Sequence, residues 1–396
     1  MSATGYIRTI EDLERLYYTK AGMHLLGEDD VVSVIAKADD PVKTTTTGVY
    51  NAIYGAQAWA QLNMEANAWG VLPKLPWSRS GWRVITDRSA GYSETGVAEN
   101  ATLPESTKPI FAQLSTKPKT MASIFEVSET QEYLTQVDDA TTNMEQQRQY
   151  KMREHVEAAN VQLLGDSGTV AGNNMESIDR IVGSNNELVN AKDATGAVFD
   201  ANDLDIYGQD RDAGASWVDA QVVHNNGNLR ILTDDLIRDV MYKTQNAGAE
   251  STFFLTGNDT ANDITGLYSS QVRYIGEATV SGSVNGVQVT YGKEGIASGR
   301  RVFTIYGYPI IISKNTVTDT SSGKSRLYLL DASNPEGYDF SRLFIKVAKP
   351  TQYFEAGINS GTPFAINKFS DKGLFRTMSE VICTFFKVQG KVRDLG

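Results

Sequence analysis

From Ala112 to Ile124, small or apolar residues occupy every second position: Ala112, Leu114, Thr116, Pro118, Thr120, Ala122 and Ile124. Gln113, Ser115, Lys117, Lys119, Met121 and Ser123 lie between them. A period of two predicts a strand with one weakly apolar face. Pro118 has no N–H to give to a ladder, which predicts a sheet edge. At about 3.3 Å per residue the ribbon would be roughly 43 Å long. It carries too few large side chains to build a core alone, so it must lie on its own chain or on another copy. Just upstream, Pro104, Glu105, Ser106 and Pro109 predict a turn. Residues 75–100 predict an extended approach to that turn.

A helical period follows. Met144, Met152, Val156, Ala159 and Leu163 share a stripe between 139 and 164, Thr142 and Glu145 have capping-box spacing, and Gly165 stands in the stop position. This helix should be about 38 Å long. Gln146, Gln147, Lys151 and Glu154 interleave with the stripe, so it is expected to be half exposed, a spine rather than a bundle member. Shorter helices are predicted at 9–17, 48–66 and 229–248. "STFFLTG" (251–257) predicts a short buried strand, and "RVFTIYGYPIIIS" (301–313) a strand pair or one long strand. A hairpin over 279–292 should turn at Asn285-Gly286. "RLFIKVA" (342–348) and "EVICTFFKV" (380–388) predict further strands. The last is apolar on both faces and belongs in the middle of a sheet. The mixed order predicts an α+β fold.

Composition narrows the function classes. The 396 residues carry 37 Lys and Arg against 48 Asp and Glu, a net charge of −11. That argues against sequence-independent nucleic-acid binding, which needs basic surface. One cysteine, Cys383, leaves no intrachain disulfide and no CxxC metal site. No window reaches the ~18 apolar residues of a membrane helix, and the N-terminus has no signal-peptide core, so a cytoplasmic product without membrane contact is expected.

Candidate chemistry is sparse. The histidines His24, His155 and His224 form no i, i+4 histidine pair, and His155, on the long helix, reads as structural. "GDSG" (165–168) looks like a nucleophile loop, but it follows a helix end and fails at Thr169, so it reads as an exit turn. The Asp-rich stretch 200–212 lacks the EF-hand ladder and reads as a solvated loop. No phosphate-binding glycine motif is present. The chain is therefore expected to be no enzyme and to need no cofactor or metal.

The linear order of these parts carries a resemblance. "ENATLPES" is followed by "IFAQLSTKPKTMASIFEVS", then an acidic helix "ETQEYLTQVDD", then a long helix ending in "EAANVQLLGDSG". This order resembles the major capsid proteins of tailed bacterial and archaeal viruses, the Hong Kong ninety-seven-type fold. Pro104-Glu105-Ser106, Ser128 and Leu163-Leu164-Gly165-Asp166 stand where that family has its turn, its short-helix start and its spine-helix end. The resemblance covers about 80–175 and extends loosely beyond.

It implies an N-terminal arm (1–80), an extended β-hairpin loop (81–126), a peripheral domain with the spine helix (127–172 and 340–396) and an inserted axial domain (173–339). It implies a structural subunit of an icosahedral virus shell that self-assembles into pentamers and hexamers and encloses double-stranded DNA without tight sequence-specific binding. An encapsulin-like nanocompartment shell is the alternative. Implied partners are a separate scaffold, a portal and cement proteins, with assembly in the host cytoplasm and residence in the virion capsid. Asn100 stands where some members carry a crosslinking lysine, so maturation without crosslinks is expected. The extended loop should lie on a neighbouring subunit. Its candidate contacts are Lys108, Leu114, Lys117, Lys119 and Ile124 on the loop, against Glu145, Glu154 and Glu157 on the long helix.

Overall fold

A computed structural model describes residues 66–88, 99, 108–138, 144–165, 173–185, 187, 206–209, 211, 216–268, 280–284, 287–291, 303–319, 323–334, 341–357 and 369–396. The two helices expected before residue 66, the Pro104 turn, Asn100 and the exit turn after Gly165 lie outside them.

The chain begins with a short helix α1 (Asn67–Val71), then β1 (Lys74–Pro76), β2 (Gly81–Arg88), β3 (Pro109–Ser115) and β4 (Lys119–Ser128). Helices α2 (Glu129–Asp138), α3 (Met144–Leu164) and α4 (Ile178–Ile181) follow, then β5 (Gln221–Val223), α5 (Asp234–Asn246), β6 (Phe253–Thr256) and α6 (Asn258–Tyr268). The remaining strands are β7 (Val280–Val284), β8 (Val287–Tyr291), β9 (Phe303–Ile305), β10 (Tyr308–Ile312), β11 (Leu327–Leu330), β12 (Leu343–Gly357), β13 (Ser370–Cys383) and β14 (Gly390–Val392).

Two larger sheets organise them. The first has the order β1-β12-β13-β4. Its central strand β13 takes in only Glu380–Cys383 of the stretch 380–388 that was expected as one strand; residues 384–389 leave the ladder in bends and turns before β14, while both faces of β13 are largely buried. Helix α3 covers one face with Met152, Val156, Ala159 and Leu163, the stripe that the helical period marks. Gly373 of β13 has a physical reason: a Cβ there would come within 2.4 Å of the Phe125 ring of β4. The second sheet has the order β5-β14-β11-β6-β10-β9. Its β9–β10 turn uses Tyr306 and Gly307, both at positive φ (50° and 85°), as a tight hairpin requires. β7 and β8 pair antiparallel up to Val284 and Val287, as the expected hairpin requires; the Asn285-Gly286 turn itself lies outside the described residues.

Two further expectations change. The strand read as continuous over 112–124 is two strands in different sheets, broken at Thr116–Pro118. The buried side changes with it: β3 buries Leu114, an even position, whereas β4 buries Met121, Phe125 and Val127. Pro118 still marks an edge, since β4 is the last strand of its sheet. The stretch 200–212 is not wholly solvated, because Ile206, Tyr207 and Arg211 are buried. Strand pairing runs across the expected boundaries at 80, 126 and 340. β1 and β4 join β12 and β13, while β14 crosses into the second sheet.

β14 is held there by charge. Lys391 meets Asp179 (3.1 Å) and Glu187 (2.8 Å), and Arg393 meets Glu187 (2.8 Å) and Asp319 (2.9 Å). Arg326 closes the group on Asp179 and Asp319, each at 2.7 Å. All six side chains are out of water. Burial pushes the Asp179 carboxyl up, but Arg326 and Lys391 pull it further down, to well below the usual carboxylate range. Removing one member leaves buried charge uncompensated. Arg393→Met should therefore lower the unfolding free energy by about 3–5 kcal/mol, read as a lower denaturant midpoint at unchanged slope. A midpoint within error of the parent would mean that the network contributes little.

Candidate assembly surface

β2 and β3 form a two-stranded ribbon, paired from Gly81–Ser115 to Arg88–Pro109 with a bulge between Ile85 and Asp87. Among the described residues it shares no ladder with another strand. One face turns inward: Leu114 is 2% exposed, Trp82 and Val84 pack against the core beside it, and the Trp82 ring stands edge-on to Tyr207 at 5.0 Å. On the outward face Ile85 and Phe111 are 57% and 58% exposed, and Ile110, near the end of the ribbon, is 49% exposed. Ile85 and Phe111 are register partners, so two large apolar side chains stand together in water.

The ribbon rests on two feet. At one, Trp77 N–H donates to Val347 O (3.0 Å) and Lys346 Nζ donates to Arg79 O (3.0 Å). At the other, Thr116 N–H donates to Ser80 O (2.9 Å) and its hydroxyl donates to Glu380 Oε2 (3.4 Å). Lys346 and Glu380 are cross-strand partners on β12 and β13.

The residues expected at the interface are distributed as follows. Lys108 and Lys117 are exposed; Lys119 is half-buried and close enough to Glu176 and Glu380 of its own chain to bias their titration. Leu114 is taken up by its own core and is not free to hold a neighbour. Ile124 is half-buried in β4. Glu145 is exposed at the start of α3, Glu154 pairs with Lys151 at 2.8 Å within the helix, and Glu157 pairs with Lys314. Sequence reading missed Ile85, Ile110 and Phe111, although a signal was present. Val84-Ile85 and Ile110-Phe111 are adjacent apolar pairs, and in a strand neighbours point to opposite faces. One member of each pair had to face outward.

His155 has the structural setting expected of it. Its ring bonds the hydroxyls of Ser123 and Thr377, each at 2.8 Å, and so ties α3 to β4 and β13. Burial pushes its pKa down to about 4. Among the described residues no group of three or more His, Cys, Asp or Glu side chains could hold a metal ion. The Cys383 thiol is buried and pushed up to about 12, which leaves it no thiolate at neutral pH.

A family model described as SU10 major capsid protein matches residues 82–302. The fold is similar to that of the Cyanophage A-1(L) capsid asymmetric unit, with a TM-score of 0.56 at 13% identity over 89% of this chain and 98% of that one. It is also similar to the capsid of a native GTA particle, with a TM-score of 0.51 at 12% identity over 91% and 96%. A holo-SrpI encapsulin complex from Synechococcus elongatus PCC 7942 matches with a TM-score of 0.38 at 14% identity over 94% and 96%, a likeness that decides nothing. No curated protein sequence matches.

The setting of His155 predicts an acid response. The folded pKa of about 4 lies below the ordinary value of 6.5, so the unfolded chain binds the proton more readily. Stability from this site is full above pH 6.5 and is lost as pH falls toward 4. Denaturant midpoints should drop across that interval, and His155→Gln should flatten the drop. An equal slope in the variant would assign the acid response elsewhere.

Proposed function

The chain belongs to the SU10 major capsid protein family and is the structural subunit of an icosahedral tailed-virus shell, and from that premise we propose how it assembles. Copies join as pentamers and hexamers, and the β2–β3 ribbon is the extended loop that lies over a neighbouring subunit. The β1-β12-β13-β4 sheet with α3 as its spine forms a peripheral domain, and the β5-β14-β11-β6-β10-β9 sheet forms an axial domain. The shell encloses double-stranded DNA without tight sequence-specific contacts, in keeping with a net charge of −11. A separate scaffold, a portal and cement proteins complete the particle, which assembles in the host cytoplasm.

One observation carries the ribbon reading: a two-stranded element without a sheet of its own keeps its apolar pair, Ile85 and Phe111, in water. An isolated hairpin is marginal in water, and covering that pair on a second copy offsets the cost. Lys108 and Lys117 flank the ribbon and fit an acidic partner surface, for which Glu145 on α3 is the most exposed of the candidate carboxylates. Lys119 stays with its own chain. Exposed ion pairs contribute only ~0.2–1 kcal/mol each, so the lysines set register while the apolar pair supplies the hold.

Electron micrographs of purified material should show uniform hollow particles; small monodisperse particles would sink the shell reading. Boiled particles should run as one band at the mass of the single chain, since Asn100 supplies no amine, and a ladder of multiples would show crosslinks. Ile85→Ser with Phe111→Ser should leave the unfolding free energy within about 0.5 kcal/mol of the parent, as exposed sites do, yet assemble poorly. Normal particle yield from that variant would remove the ribbon from the interface. Lys108→Glu with Lys117→Glu should weaken assembly most at low salt, and a salt-independent yield would make both lysines bystanders.

A further inference from the structure

The feet of the ribbon have a chemistry that the docking role does not require. Both are held by one cross-strand pair, Lys346 of β12 and Glu380 of β13. Lys346 reaches Arg79 O and lies over the Trp77 ring at 5.8 Å, and Glu380 takes the Thr116 hydroxyl. Besides these bonds, the described residues that pack the inward face against the core are Trp82, Val84 and Leu114. The chain breaks strand geometry at both feet, between β1 and β2 and between β3 and β4.

We propose that the ribbon is an arm hinged at residues 77–80 and 116–118, and that the buried Lys346–Glu380 pair is the catch that seats it against the sheet. This concerns how the arm is carried on its own chain, and it stands whether or not the arm reaches a neighbour.

The catch is set by charge. Glu380 Oε1 already accepts two backbone N–H groups, from Glu176 (2.8 Å) and from Val381 (2.9 Å). Only Oε2 faces Thr116. Around the carboxyl stand Glu176 from the segment before α4, itself ion-paired to Arg180 at 3.0 Å, and Lys119 from β4. Tyr207 lies on the far side, donating to Val381 O, with Arg211 beyond it near Glu176, Cys383 further along β13 and Lys346 alongside. Lys119 is the cation that favours an ionised Glu380, while Glu176 opposes it, so burial prevails and pushes Glu380 up to about 8. Burial raises Glu176 as well. The seated state therefore prefers a protonated Glu380. When the foot lifts and water reaches the carboxyl, it returns toward the ordinary glutamate value of 4.5. Seating is then strongest at low pH, weakens as pH rises from 4.5 toward about 8, and levels off above that.

Trp82 reports the seat, because lifting the ribbon takes its ring from Tyr207 into water. Acrylamide quenching would be measured on the full, unassembled chain, with Trp82→Phe subtracted to isolate that residue. Quenching of Trp82 should rise about twofold or more between about pH 6 and pH 9. Glu380→Gln should flatten the rise, and Lys346→Met should raise quenching at every pH while leaving its midpoint in place. A parent whose Trp82 quenching is flat across this range overturns the proposal, as does a Glu380→Gln chain that keeps the rise. Should Glu380→Gln fail to fold, Thr116→Val decides. It removes only the hydroxyl, and it must increase Trp82 quenching at low pH; unchanged quenching overturns the catch.

Discussion

Three acids and three cations without access to water hold this molecule together. Asp179 and Glu187 come from the segment after the long helix, Asp319 and Arg326 from the approach to β11, Lys391 from β14 and Arg393 from just beyond it. Taken singly, any one of them would be too costly to bury. Together, with Tyr328 donating to Asp179 at 2.7 Å and the buried Asp394 adding a further carboxylate to Arg393 at 3.3 Å, each finds a partner. Such a group adds little net stability compared with an apolar core, but it tolerates only one arrangement. It fixes β14 between β5 and β11, and so fixes where residues more than 200 positions apart in the sequence must meet.

The first sheet depends on a different constraint. β13 is buried on both faces because α3 covers one of them, and α3 is oriented there by His155 as well as by its apolar stripe. A neutral imidazole bonded to Ser123 and Thr377 reads the register of β4 against β13, since those residues lie in adjacent strands and on one face. With that register set, the chain leaving β4 toward its N-terminus has one way out, through Pro118 and Thr116 into the ribbon. The ribbon is thus a consequence of the sheet: the same strand direction that β13 accepts as β4 cannot continue past a proline without its N–H, and the excess length projects.

Ile85 and Phe111 stay exposed on the outward face of the ribbon. In the docking proposed above, that face would be completed by a second copy as a core is completed within one chain. The opposite face, with Trp82 and Leu114, is completed within one.

Much of this was legible in the sequence, because it depends on local periodicity. The period of 3.6 gave the stripe of α3 with its Gly165 stop, the alternating valines gave the β7–β8 pairing, and the start of the run apolar on both faces, Glu380–Cys383, marked the end of the central strand. The order of these parts was enough to point to the capsid fold. What the sequence could not decide was pairing. An alternating stretch fits one long strand or two broken ones equally well, and only the ladder partners, β2 for one half and β13 for the other, separate them. Leu114 and Ile85 carry the same kind of side chain, and nothing local says which is buried. Likewise Glu176 and Glu380 read as surface charges, since neither composition nor spacing shows that they will be buried side by side with the half-buried Lys119 near them. Side-chain identity is a property of the chain, whereas burial and charge partnership are properties of contacts between distant segments, so only the folded molecule could assign them.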